Sequence, residues 1–180
     1  MIDKPEDVLD FWAEAGPEKW WKKDPVFDAE IATRFEESYE LACHGGFDDW
    51  ATEPHGALAI IIMLDQFSRN LYRDSHLAFA QDAKALSIAK SAIQANLDTQ
   101  MREDIRPFCY LPLMHSEDLA DQNLCVAIFE KNGPKDNLRA AIEHRDIIQR
   151  FGRFPHRNVV LGRETTEEEQ AFLDGGGFAG

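Results

Sequence analysis

Residues 57–70, ALAIIIMLDQFSRN, constrain this chain more than any other stretch. At about 100° per residue, Ala57 through Leu64 put apolar side chains on every side of a helix, a pattern that only burial all round satisfies. The stretch then turns polar. Asp65 and Arg69 stand four apart, on the side that also carries Leu58, Ile61 and Ile62. A carboxylate and a guanidinium drawn into a core need each other or another partner. The reading is the central helix of an all-α domain, with an internal Asp65–Arg69 pair.

Helical spacing recurs on both sides of it. Pro5, Glu6 and Asp7 open a helix whose stripe is Val8, Phe11, Trp12 and Ala15, up to Gly16-Pro17. Trp20 and Trp21 lie on a connection with Lys19, Lys22 and Lys23, and pack over the end of the core. Asp24-Pro25 starts a second helix, with Ile31, Phe35 and Tyr39 inward, ending near His44. After the central helix, His76 to Asn96 reads as a helix with Phe79, Ala83, Leu86 and Ala89 inward. Pro112 predicts a kink or break. Ser116, Glu117 and Asp118 open a helix through Leu124, Ala127 and Ile128, and Asp136 or Asn137 opens one that ends at Phe151-Gly152. Thr166 and Glu169 form a capping box for a short last helix, and Gly175-Gly176-Gly177 begins a tail. Strand alternation appears nowhere at useful length. The expectation is one all-α domain over residues 1–180, with 174–180 a flexible tail. It consists of stacked antiparallel hairpins of about seven to nine helices.

The totals narrow the function. A net charge of −14 argues against general nucleic-acid binding and against anionic membrane surfaces. The longest apolar run is far short of a membrane span, and the N-terminus lacks the basic-then-apolar pattern of a signal peptide. Cys43, Cys109 and Cys125 are far apart, without CxxC or Cys/His ligand spacing, and read as free thiols of a cytoplasmic protein.

One cluster departs from this background. On the helix from about 135 to 151, His144 falls between Ile148 and Phe151 on the wheel, and Arg145 between Leu138 and Ala141. Arg150, Arg153, His156 and Arg157 follow. Between 141 and 163 five arginines face only Glu143 and Asp146, a basic island in an acidic chain. Such cations complement a helix C-terminus, and Asp65, Glu117 and Asp118 are available to pair with Arg69, Arg145 or His144 across three helices. The alternative is a cleft whose arginines hold a carboxylate or phosphate, with Phe154 beside them. A catalytic reading has His115 as general base oriented by Glu117 or Asp118, but no nucleophile stands out. The spacing of His115, Glu117, Asp118, His144 and His156 matches neither HExxH nor a ferritin-like Glu-x-x-His pair, and no metal or cofactor is expected.

The strings DVLDFW (7–12), KWW (19–21), LDQFSRN (64–70), FCYLPLMHSED (108–118) and HRDIIQRFGRFPHRN (144–158) resemble the bacterial domain-of-unknown-function family 924. The resemblance runs from Asp7 to about Phe172. It implies an all-helical, tetratricopeptide-like superhelix, although the usual period of about 34 residues is not visible. It brings no reaction or ligand with it. Ser68 stands where the family often has proline after LDQF, so the helix should continue smoothly to Arg69.

The leading expectation is a helical binding module for an anionic small molecule or acidic peptide. Arg150, Arg153, His156, Arg157, Arg69 and His144 would contact the ligand, supported by Asp65, His115, Glu117 and Asp118. A small metal-dependent or His-based hydrolase using His115, His144 and His156 is the alternative. A third reading is a protein-interaction scaffold with a structural polar network and an exposed aromatic patch at Trp20 and Trp21. Oligomeric state is left open.

Overall fold

A computed structural model describes residues 2 and 4–178. The described residues are all-helical, with no strand. The α-helices are α1 (Pro5–Ala15), α2 (Pro17–Trp20), α3 (Pro25–Cys43), α4 (Pro54–Ile61), α5 (Ser68–Leu71), α6 (Asp82–Gln94), α7 (Leu111–His115), α8 (Leu119–Asn132), α9 (Lys135–Phe151) and α10 (Glu167–Asp174). A π-helical segment, Ile62–Phe67, joins α4 to α5, so the two run as one. Counted that way there are nine helices among the described residues. No helix among them is long and apolar enough to cross a membrane.

The chain forms two compact units, the first made of Met1–Arg73 with Leu77–Pro112, the second of Asp74–His76 with Leu113–Gly180. The first is built around α4. Ala57 through Leu64 are each at most 1% exposed, as an apolar circumference requires. Against this helix pack α1, α6 and the 3-10 turns Asp48–Thr52 and Arg106–Cys109. Phe11, Trp12, Phe27, Phe35, Phe67 and Phe108 join in a continuous set of ring contacts. Trp20 donates its indole N–H to the Trp12 carbonyl at 2.7 Å, which fixes the short α2 in what reads from sequence as a plain connection. Trp21 stacks on Phe108 and remains 57% exposed.

The α4–α5 run does not pass smoothly through Ser68. Its backbone widens at Ile62–Phe67, and the Asp65 carbonyl accepts from both the Ser68 hydroxyl and the Arg69 guanidinium. Two side chains thus serve a carbonyl that a regular turn would bond to backbone. The 76–96 segment also differs from expectation. A 3-10 turn, His76–Phe79, precedes α6, whose buried face is Ala85, Ala89 and Ala92, while Ala83 is exposed. Pro112 lies in the first turn of α7, where a missing N–H costs nothing, so it sits at a helix start and kinks none.

The second unit centres on the α8–α9 hairpin. Asp118 caps α8 by accepting from the Ala120 N–H at 2.7 Å. The turn is Gly133-Pro134, and a Cβ on Gly133 would lie 2.4 Å from the Phe129 ring, so no larger residue fits unaltered. On α8 the buried face is Asp121, Gln122, Cys125, Val126 and Phe129, whereas Leu124 is 40% exposed. The Gln122 amide donates to the Met114 and Ser116 carbonyls and the Ser116 hydroxyl donates to Asp121, so polar side chains occupy the inner face. Gly152 ends α9 in the left-handed conformation at φ 69°. Ile147, Ile148 and Phe154 form a small core against which Phe151, Phe172 and Phe178 pack.

Candidate functional site

Arg69 and Asp65 belong to the first unit. Asp65 is fully buried, and its side chain lies 3.4 Å from the Arg69 guanidinium, the internal pair that the spacing predicts. The main partner is one the sequence does not point to. Asp82 takes Arg69 bidentately at 3.0 and 3.1 Å. Burial alone would favour loss of the Arg69 proton, and Asp65 and Asp82 together hold it charged.

The remaining candidates lie in the second unit, distributed over the end of α7, α8, α9, the 3-10 turn Pro155–Arg157 and α10. Glu117 accepts from both Arg163 Nη atoms at 2.8 and 2.9 Å and from the Phe154 N–H at 2.9 Å. Burial would raise its carboxyl, but these bonds lower it below the ordinary carboxylate range. Glu117 therefore holds the loop after α9 through Arg163. Arg145 is instead paired with Asp146 at 2.7 Å, and Asp118 is a helix cap.

Arg153 donates to both oxygens of Glu169, at 2.6 and 2.8 Å, and to the Glu164 carbonyl at 2.8 Å. Glu169 is 2% exposed, and the Arg153 bonds lead the causes that bring its carboxyl to about 2. It also accepts from Asn158 and from the Thr166 N–H. The capping box legible in the sequence thus has a second duty, anchoring an arginine. Arg150 pairs with Glu168 at 3.0 Å and lies over the Phe151 and Phe172 rings. Arg157 is 6% exposed, with its guanidinium 4.5 Å from the Phe154 centroid.

Four arginines of the island are thus paired, Arg150 and Arg153 with Glu168 and Glu169 just beyond its edge, Arg163 with Glu117 before it and Arg145 with Asp146 within it. The two paired glutamates, Glu168 and Glu169, lie just past residue 163, where the run of arginines ends. Capping-box spacing is the one sequence signal at Glu169, and it implies a cap and no arginine partner.

An open concavity of about 530 Å³ is lined by Arg153, Arg163, Glu164, Thr165 and Thr166. Among the described residues, Arg153 Nη1 and Arg163 Nε have no hydrogen-bond partner, since the bonds of these side chains use their other nitrogens. The Thr165 hydroxyl accepts from Asn158, which leaves its proton to donate, whereas the Thr166 hydroxyl is engaged with Glu169, accepting from its N–H and bonding its carboxylate. Of these lining residues only Arg153 is a ligand-binding candidate by sequence.

The histidines gather elsewhere in the same unit. The His115 and His144 rings are 6.5 Å apart, and His144 and His156 lie 5.5 and 5.6 Å from Phe154. Burial first, then the charges of His115 and Arg157, pushes His144 down to about 4. Burial, Arg157 and the other two imidazoles take His156 to about 3. Both are neutral near pH 7. The His144 Nδ1–H donates to the Ala140 carbonyl at 2.8 Å, leaving Nε2 as an acceptor. Among the described residues no three His, Cys, Asp or Glu side chains are placed to hold a metal ion.

Fold and site together define an all-helical protein whose second unit presents paired arginines around an open hollow and, separately, two neutral imidazoles, His144 and His156. The family model described as "Bacterial protein of unknown function (DUF924)" matches residues 8–177, and the chain belongs to that family. It is similar to the solved structure of a protein of unknown function, ATU0120 from Agrobacterium tumefaciens. The two share 42% identity over 95% of this chain and 97% of that one, with a TM-score of 0.91. No curated protein matches the chain.

Proposed function

We propose that the protein is a cytoplasmic binding module whose second unit takes a small anion, or the acidic end of a peptide, in the hollow between Arg153 and Arg163. One observation carries this reading: Arg153, Arg163 and Thr165 line the same concavity, and each keeps a donor that no described residue uses. Glu169 and Glu117 hold the two arginines in place, which lowers the ordering cost of binding. The same pairing nearly cancels the local field, so a ligand is recognised by directed hydrogen bonds to a carboxylate or phosphate group and only modestly by net charge. Cys43, Cys109 and Cys125 form no disulfide, which supports a reducing compartment.

The pairings themselves favour a second reading, in which the network is purely architectural and the chain is an interaction scaffold. Thermal unfolding with inorganic phosphate and with succinate separates the two. A ligand at a hundred times its dissociation constant adds about 2.7 kcal/mol. The binding reading expects a rise in midpoint for the wild type that is lost in Arg153→Lys and Thr165→Val. No shift with either anion leaves the scaffold.

A further inference from the structure

The geometry points to a second binding site: the slot between His144 and His156, filled by the chain's own Phe178, receives an aromatic ring bearing an O–H or N–H donor, which enters by displacing that residue. The Phe178 ring lies 4.4 Å from His144 and 5.1 Å from His156, centroid to centroid. Phe154 packs beneath both imidazoles. Three rings thus wall a fourth, at separations normal for aromatic pairs.

Phe178 is delivered by a turn rather than by a helix. Helix α10 ends in a glycine turn, where the Gly176 N–H donates to the Leu173 carbonyl and the Gly177 N–H to the Phe172 carbonyl. Gly176 takes the left-handed conformation at φ 80°, completing a Schellman motif. A Cβ on Gly177 would lie 2.5 Å from the tip of the Phe172 ring, so glycine lets the chain double back here without displacing that ring. Residues 175–177 are all glycine, the residue type that loses most freedom on ordering, so the tether holds its ring at an entropic cost. An untethered competitor in the slot releases that cost.

The slot also offers more than Phe178 uses. Nδ1 of His144 is committed to the Ala140 carbonyl, and burial keeps the ring neutral, so Nε2 is an acceptor without a partner among the described residues. Nδ1 of His156 is buried and likewise without a hydrogen-bond partner among them. A phenylalanine ring has nothing to donate to either nitrogen. A phenol or an indole does, to Nε2 of His144 in the tautomer its bond to Ala140 sets and to Nδ1 of His156 when that ring's proton is on Nε2, and each such bond adds to what burying the ring alone gives. That mismatch identifies Phe178 as a stand-in and sets the ligand class. The site needs no arginine from the hollow described above, and so stands or falls separately from it.

The test is a titration with phenol, and with anisole as the ring lacking a donor, followed on the imidazole Cε1–H signals by NMR. Where the tail fills the slot most of the time, removing it raises apparent affinity about tenfold or more. Phe178→Ala is therefore expected to bind phenol at least that much more tightly than the wild type, and anisole less tightly than phenol. Phe178→Tyr supplies the hydroxyl from within the chain, and is expected to bind phenol more weakly than the wild type. Equal phenol affinity in the wild type and Phe178→Ala overturns the proposal, as does a folded Phe178→Ala that binds no phenol. Should Phe178→Ala fail to fold, unchanged phenol affinity in Phe178→Tyr overturns it just as well. Phosphate binding is expected to be unaffected by either substitution.

Discussion

The charged residues of the second unit divide into those whose charge the fold fixes and those it removes. His144 and His156 are of the second kind. Their depression to about 4 and about 3 means that folding rejects protons which the unfolded chain accepts near its ordinary value of 6.5. Between that value and about 4 the unfolded state carries more protons, so stability rises with pH and is complete only above 6.5. Glu169 acts in a lower window, its contribution being present above 4.5 and lost as pH falls toward about 2. Urea midpoints measured from pH 7.5 to 3 should therefore fall in two stages, the upper owed to imidazoles and the lower to carboxylates. In His156→Phe the upper stage should shrink, and a midpoint that stays flat from pH 7.5 to 5 would show that both rings titrate normally. At this scale the sequence is informative about placement and poor on partners. The helical wheel puts His144 inside, and it is 7% exposed. It could not pair Arg69 with Asp82, or Arg153 with Glu169, because partners 13 and 16 residues away depend on how loops return.

The elements show where a simple period suffices. The eight apolar residues at 57–64 leave no face for water, and that helix is where the pattern puts it. The Asp24 cap, Gly152 and the Thr166–Glu169 box mark ends that their own side chains or conformations impose. Helix α8 fails the same reading because Asp121 and Gln122 satisfy their polar atoms internally, so its buried face is not its most apolar one. The π segment fails it too, since a carbonyl captured by two side chains leaves no mark in a hydrophobic period. Gly56 gives a sharper test of how α4 is seated. In a free helix, alanine for glycine would gain up to about 1 kcal/mol. Here the new Cβ would lie 2.2 Å from the Trp50 carbonyl oxygen, a backbone atom of the 3-10 turn beneath it. Overpacking of this kind costs about 1–3 kcal/mol, so the clash wins. Gly56→Ala should lower the urea midpoint with little change in slope, and a raised midpoint would mean that the turn yields easily.

At the scale of the whole molecule, two units each with its own buried apolar set suggest that damage to one is felt there first. The cysteines provide a reporter for each. Cys109 is 0% exposed in the first unit and Cys125 is 0% exposed in the second, while Cys43 is only partly covered. Burial raises all three thiols, Cys125 to about 12, so none reacts readily while the structure around it is closed. A buried thiol is modified only when its surroundings open, and the modification rate follows the population of that open state. Phe154 is 0% exposed in the second unit and Phe67 is 0% exposed in the first. Truncating either to alanine removes about 3–5 kcal/mol of packing. Under native conditions, with labelling read peptide by peptide in a mass spectrometer, Phe154→Ala should speed modification of Cys125 much more than that of Cys109. Phe67→Ala should do the reverse, and Cys43 should label early in both. If each substitution accelerates Cys109 and Cys125 equally, the chain opens only as a whole, and the two units are a feature of packing without being units of stability.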